Sequence, residues 1–143
     1  MKVIGIDPGR SGAAVVYDGS TTALIRLSET ERDVLDFIDE HSSGELPRAL
    51  LERVHSMPGQ GVASSFRFGE CYGFLRGCLI AAGVPFRTIT PQKWQRRLGC
   101  LSRGDKNVTK AKAQELFPDL KITHAIADAL LIAYHEYHYP EGS

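Results

Sequence analysis

An α/β fold built on a sheet of mixed sense follows from three observations. Short apolar or alternating runs at 2–7, 12–17 and 21–27 are joined by tight turn signals, which makes an antiparallel meander. An amphipathic stretch over 29–42 then leads into another apolar run at 48–54, and a strand–helix–strand unit in one sheet lays its two strands parallel. A fifth run at 85–90 is closed by Pro91, after which the pattern is helical to the end.

The first strand carries Val3, Ile4 and Ile6, the composition of a strand buried on both faces, and ends in Asp7 before the turn pair Pro8-Gly9. Burying a carboxylate costs several kcal/mol unless it is paired or coordinates a metal. Asp7 therefore either opens the turn through its side chain or meets a cation, and this stretch alone supports both. Asp18-Gly19 marks the hairpin between the second and third strands. In the 29–42 helix Val34, Leu35, Phe37 and Ile38 form the apolar stripe, and Ser28 with Glu31 fits a capping box. Glu52 sits late in the fourth strand, as Asp7 does in the first. A solvent-facing acid on an edge strand is the plain alternative, but Leu50, Leu51 and Val54 beside it argue for burial. With the first strand as parallel neighbour, the C-terminal ends of the two strands, and so the two acids, sit side by side on strands about 4.8 Å apart.

A Gly- and Ser-rich loop, 55–65, follows on that same rim, where sheets of this kind hold ligands. Next comes a helix over 66–82 with Gly69, Gly73, Gly77 and Ala81 at intervals of four. Glycine costs a helix about 1 kcal/mol relative to alanine, so the stripe asks for a closely approaching backbone. The chain's own sheet is the favoured partner for it. Phe74, Leu75, Cys78 and Leu79 then form a second apolar face, available to a copy of the same helix in a homodimer. After the fifth strand, a basic stretch containing Trp94 reads as a short helix and a loop, and a helix over 108–117 is stopped by Pro118. The last helix runs from the N-cap candidate Thr123 to about His138. His124 and Asp128, at i and i+4, share one face of it. Ala125, Ala127 and Ala129 flank Asp128, small enough to let that face sit tightly on the sheet.

Residues 1–143 read as one domain with a single substantial core. Formal net charge is zero, so nucleic-acid binding would need a local patch. The charges are segregated in that way. Residues 29–45 hold Glu29, Glu31, Asp33, Asp36, Asp39, Glu40 and Glu45 against Arg32, whereas 91–112 hold Lys93, Arg96, Arg97, Arg103, Lys106, Lys110 and Lys112 against Asp105. A solvated face and a phosphate-binding face both fit the second stretch until a site is placed beside it. Three cysteines without paired or zinc-like spacing argue for a reducing compartment and for core packing. No signal-like segment follows Met1 and no run approaches a membrane span, so the expectation is a cytoplasmic protein with no membrane partner.

Ile4-Gly5-Ile6-Asp7-Pro8-Gly9, Leu50-Leu51-Glu52-Arg53-Val54 and His124-Ala125-Ile126-Ala127-Asp128-Ala129-Leu130, in that order, resemble the RuvC-type Holliday junction resolvases. Met57-Pro58-Gly59-Gln60-Gly61-Val62 and Thr90-Pro91-Gln92-Lys93-Trp94 look most like the smaller, phage-borne members. The resemblance runs from Met1 to about His135. It implies an RNase H-like fold, a five-stranded mixed sheet flanked by helices. It also implies a homodimeric endodeoxyribonuclease of DNA recombination and repair that nicks four-way DNA junctions symmetrically. Asp7, Glu52 and Asp128 match the family's metal-binding carboxylates, and His124 falls near a fourth position that is Asp or His in relatives. Cellular members separate the last two groups by three residues; here the separation is four. His55 stands where cellular relatives often carry an aromatic side chain against junction bases, with Phe66 and Phe68 as the candidates to replace it.

Two Mg²⁺ ions shared by carboxylates supply the nucleophile and neutralise the leaving oxygen in phosphodiester hydrolysis. The implied cofactor is thus Mg²⁺, two per active site, with Mn²⁺ expected to substitute. Asp7 would bridge both ions, Glu52 and Asp128 would each hold one, and His124 would bind a metal-held water or the scissile phosphate. The DNA contacts expected are Arg10, Ser11, His55 and Gln60 in the rim loops, Phe66, Arg67 and Phe68 on the long helix, and Lys93, Arg96, Arg97, Arg103, Lys106 and Lys110 in the basic stretch. Two other nucleic-acid readings stand beside this one: an RNase H-like nuclease acting on another branched or hybrid substrate, and a junction-binding module without catalysis, against which the full set of acids speaks. An actin-type ATPase also opens on an Asp-x-Gly turn, but it needs two lobes around its nucleotide, so no nucleotide cofactor is expected.

Overall fold

The computed structural model describes residues 1–53 and 59–140. Five strands, β1 (Val3–Asp7), β2 (Ala13–Tyr17), β3 (Thr22–Arg26), β4 (Arg48–Glu52) and β5 (Phe86–Ile89), form one sheet in the order β3-β2-β1-β4-β5. The pairs β1–β2 and β2–β3 are antiparallel, while β1–β4 and β4–β5 are parallel. Among the described residues five helices flank it: α1 (Glu31–Ser42), α2 (Val62–Ala81), α3 (Pro91–Arg97), α4 (Lys106–Leu116) and α5 (His124–His138). This is the mixed, helix-flanked sheet expected from the turn signals and the crossover. No described helix is long and apolar enough to cross a membrane.

Strand alternation divides the core in two. Val3, Val15 and Leu50 face α5, where Leu130, Leu131 and the alanines of its inner face bury themselves with Trp94 of α3. Ile4, Ile6, Val16 and Leu51 face the other way and pack with Val34 and Ile38 of α1 and Leu75 and Leu79 of α2. Gly5 is what lets α5 come close to β1. A Cβ there would lie 2.7 Å from the Ala129 carbonyl oxygen and closer still to the Ala133 nitrogen. At its far end α5 is held by Glu136, which is 2% exposed and accepts from Arg48 Nε at 3.0 Å and from Arg87 Nη2 at 2.7 Å.

Local expectations needed three corrections. The N-cap of α1 is Thr30, not Ser28: its Oγ1 accepts from Asp33 N at 3.1 Å and donates to Asp33 Oδ2 at 2.8 Å. Leu27 N is bound to Gly12 O and Glu29 N to Arg26 O, so the chain is still leaving β3 at Ser28 and the box with Glu31 cannot close. Thr123 does stand at the N-cap of α5, but its side chain makes no cap bond.

The third correction concerns the two faces of α2, which are exchanged relative to expectation. Leu75, Cys78 and Leu79 are buried against the sheet, whereas a Cβ at Gly69, Gly73 or Gly77 would meet nothing within 4 Å. A buried leucine contributes roughly 1.5–3 kcal/mol and a glycine offers no side chain to bury, so the leucine face takes the sheet. The face assigned above to a dimer is thus interior. Of the cysteines, Cys78 and Cys100 are buried, Cys71 is half-buried, and all three are free.

Candidate active site

The site is assembled by register. Ile6 pairs with Leu51, so Asp7 and Glu52 take the next step on adjacent parallel strands and point to the α5 side of the sheet, as Gly5 and Leu50 do two residues earlier. Past the strand end, Arg53 N still donates to Ile89 O at 2.7 Å, which holds the rim of β4 against β5. The turn after β1 is closed by backbone alone, with Gly9 at φ +106° and Gly12 N donating to Gly9 O at 3.0 Å. It needs no help from Asp7, whose carboxylate is free to face the acids. α5, seated on β1 through Gly5, supplies Asp128 from its second turn and His124 from its first residue.

Charge crowding follows. Burial raises the Asp7 pKa well above the ordinary carboxylate value, and Glu52 and Asp128 raise it further against the opposing ammonium of Lys106. Glu52 is pushed up to about 7 by burial and by Asp128, opposed by a hydrogen bond from Trp94, whose Nε1 donates to Glu52 Oε2 at 2.8 Å. Asp128 is raised by burial, against the Thr109 hydroxyl, Lys106 and His124. Lys106 is in place because Asp105 caps α4, accepting from Asn107 N at 3.0 Å, which starts the helix beside the acids. Trp94 and Thr109 were not among the expected site residues. Trp94 closes the Thr90–Trp94 motif quoted above, but nothing in that stretch points it at Glu52, and nothing marks Thr109, since each reaches its acid across the fold.

Solved structures that match this arrangement of elements include two of the same protein. Thermus thermophilus RuvC aligns over 96% of this chain and 93% of its own, with a TM-score of 0.64 and 17% identity. T. thermophilus RuvC in complex with a Holliday junction substrate aligns over 96% and 92%, with the same score and identity. The chain has the RuvC fold. No family model matches the sequence, and no curated protein matches it either.

Within this RuvC fold the expected DNA contacts fall in several places. Arg10 and Ser11 are exposed in the turn directly beyond Asp7. Arg10 and Arg67 line a groove of about 450 Å³ between that turn, the start of α1 and α2, with Glu29, Glu31 and Glu70 also on its wall. Phe68 lies against Gly9, 3.5 Å from where a Cβ would be, while Phe66 is turned out to solvent. Gln60 is partly buried just before α2, and Lys110 is partly buried one turn after Lys106 on α4. Arg96 and Arg103 are exposed. Lys93 and Arg97 lie toward the opposite end of α5. Both contribute, after burial and Arg87, to holding His135 down at about 4, and Arg97 stacks over Tyr139 at 4.8 Å. Tyr139 is eleven residues beyond Asp128, roughly 16 Å along the helix. His55 lies outside the described residues.

Among the described residues no group of three or more His, Cys, Asp or Glu side chains is arranged to enclose a metal ion as it stands. The donor set nevertheless suits a hard cation. It consists of three carboxylates whose pKa values are raised by burial, and at Asp7 and Glu52 by a neighbouring acid as well. Hard divalent cations take oxygen ligands and can keep waters of their own, so a few carboxylates are enough to hold one.

Proposed function

We propose that this chain is a structure-selective endodeoxyribonuclease that nicks four-way DNA junctions with Mg²⁺. The observation that carries the reading is the meeting of Asp7, Glu52 and Asp128 at the C-terminal rim of β1 and β4, on a fold shared with a resolvase whose structure was solved on a Holliday junction. Asp7, central among the acids, would bridge two ions, with Glu52 and Asp128 each holding one. Ions bound there would polarise the scissile phosphate and lower the pKa of bound water. Lys106, close enough to both aspartates to oppose their pKa shifts, would neutralise phosphate charge at the cut. His124, one helical turn from Asp128, would orient water or phosphate from the solvent side. Arg10, Ser11, Arg96, Arg103 and Lys110 would bind backbone phosphates away from the cut and give salt dependence without sequence reading. The test is nicking of a synthetic four-way junction beside a linear duplex of the same arms, with Mg²⁺, Mn²⁺ or EDTA. Metal-dependent nicks confined to the junction are expected. Equal cutting of both substrates would make the chain a general nuclease, and no cutting of either would leave it a binding module.

We also propose that it works as a homodimer, because a four-way junction is two-fold symmetric and one chain has one set of acids. The surface that supports this is the outer stripe of α2. Val62, Phe66, Gly69, Gly73, Gly77 and Ile80 lie within about 80° of one another around the helix. Val62 is 88% exposed, Phe66 68% and Ile80 64%, an apolar strip with glycines at its centre, where small residues let two helices cross closely. Light scattering at micromolar concentration should give twice the chain mass for the unmodified protein and one chain mass for a folded Ile80→Glu variant. A one-chain mass for the unmodified protein would exclude the dimer.

A further inference from the structure

Trp94 is fully buried, packed among Leu50, Leu98, Ile126 and Leu130 in the core under α5, yet its one polar atom is turned toward the site. The path that puts it there is short. Glu52 pairs with Ile89 at the end of β5, Thr90 caps α3 by accepting from Lys93 N, and Pro91 opens the helix. α3 therefore begins two residues past the strand that borders Glu52 and folds its fourth side chain back beneath the rim. A buried indole N–H needs an acceptor, and this one gives its proton to Glu52 Oε2 at 2.8 Å.

We propose that Trp94 is a positioning residue for Glu52, holding Oε2 so that Oε1 is the oxygen presented to a bound divalent cation. The proposal rests on the metal-nuclease reading above. Its physical content lies in the type of donor. An arginine or lysine in that position would cancel the charge of Glu52 and compete with a cation for it. An indole fixes the carboxylate just as firmly, is neutral, cannot ionise, and is sealed from water by the core around it. Partners of this kind around ligating side chains are worth about 10–100-fold in metal affinity.

The chain contains a single tryptophan, so replacing tryptophan with benzothienylalanine during expression changes Trp94 alone, and swaps the N–H for a sulfur of similar size. Mn²⁺ affinity, measured from the electron paramagnetic resonance signal of the free ion, should fall by about tenfold, with the melting temperature and molecular mass held. Trp94→Phe, which also lacks the donor, should show the same loss of affinity and serves if the analogue folds poorly. In a Glu52→Gln background neither change should reduce affinity further. An unchanged affinity in folded protein would show that the bond merely satisfies a buried indole, and would overturn the proposal. Failure of the unmodified protein to bind Mn²⁺ at all would instead remove the metal-nuclease reading on which it stands.

Discussion

Asp7→Asn is expected to abolish the proposed nicking and at the same time to make the metal-free protein more stable in alkaline buffer. The first effect follows from the central place of Asp7 among the acids. A carboxylate that would help to hold the ions would supply several kcal/mol of charge stabilisation, so its loss should cost about a thousandfold or more in rate. The second follows from linkage. A carboxyl whose pKa is raised by folding takes up its proton more readily in the folded state. Its contribution to stability is fully present below the unfolded value and is lost as the pH rises through the folded one. For Asp7 the shift is upward, from burial first and then from Glu52 and Asp128. For Glu52 the window runs from the ordinary glutamate value of 4.5 up to about 7. Where both side chains are ionised, in alkaline buffer with EDTA, they are crowded and mutually repelling, so the amide at Asp7 relieves the strain on its neighbours as well. Melting curves in EDTA should place Asp7→Asn above the unmodified protein in alkaline buffer, with the difference closing in acid. Excess Mg²⁺ should narrow the gap by stabilising only the protein that binds it. A variant that melts lower at every pH, or that nicks at the normal rate, would remove Asp7 from the centre of the site.

Gly5→Ala is expected to cost about 3 kcal/mol and to take most of the proposed activity with it. The added methyl would stand 2.7 Å from the Ala129 carbonyl oxygen and nearer to the Ala133 nitrogen, both backbone atoms of α5 that have no rotamer to yield. The helix must lift from β1, and Asp128 and His124, carried on its first turns, lift with it. A displacement near 1 Å costs about a hundredfold where reacting groups must be held in line. Urea unfolding should show a lower midpoint, and the nicking rate of whatever remains folded should fall as well. An unchanged midpoint would mean that α5 does not rest on β1 as described.

Much of this architecture could be read before any coordinates. The strands announce themselves by short apolar runs between turn residues, and the right-handed crossover places β4 beside β1, so two acids at matching late positions must end up as neighbours. Such conclusions survive because they depend on period and connectivity, which are local properties of a chain. The glycine stripe of α2 was misread for the opposite reason. Both of its faces could be inward, and only competition for the sheet, decided by how much apolar area each face buries, sends Leu75 and Leu79 in and the glycines out. Ser28 and Thr30 each have an acid three residues on. Which of them caps α1 is decided by how far Leu27 is held to Gly12 across the turn. The same holds for Arg97, a base like its neighbours in sequence, whose guanidinium the packing of α3 on α5 turns onto Tyr139. The indole bond to Glu52 spans 42 residues. It exists because α3 folds back beneath the rim at one particular angle, and an angle between elements is a property of the packed core, not of any stretch of chain.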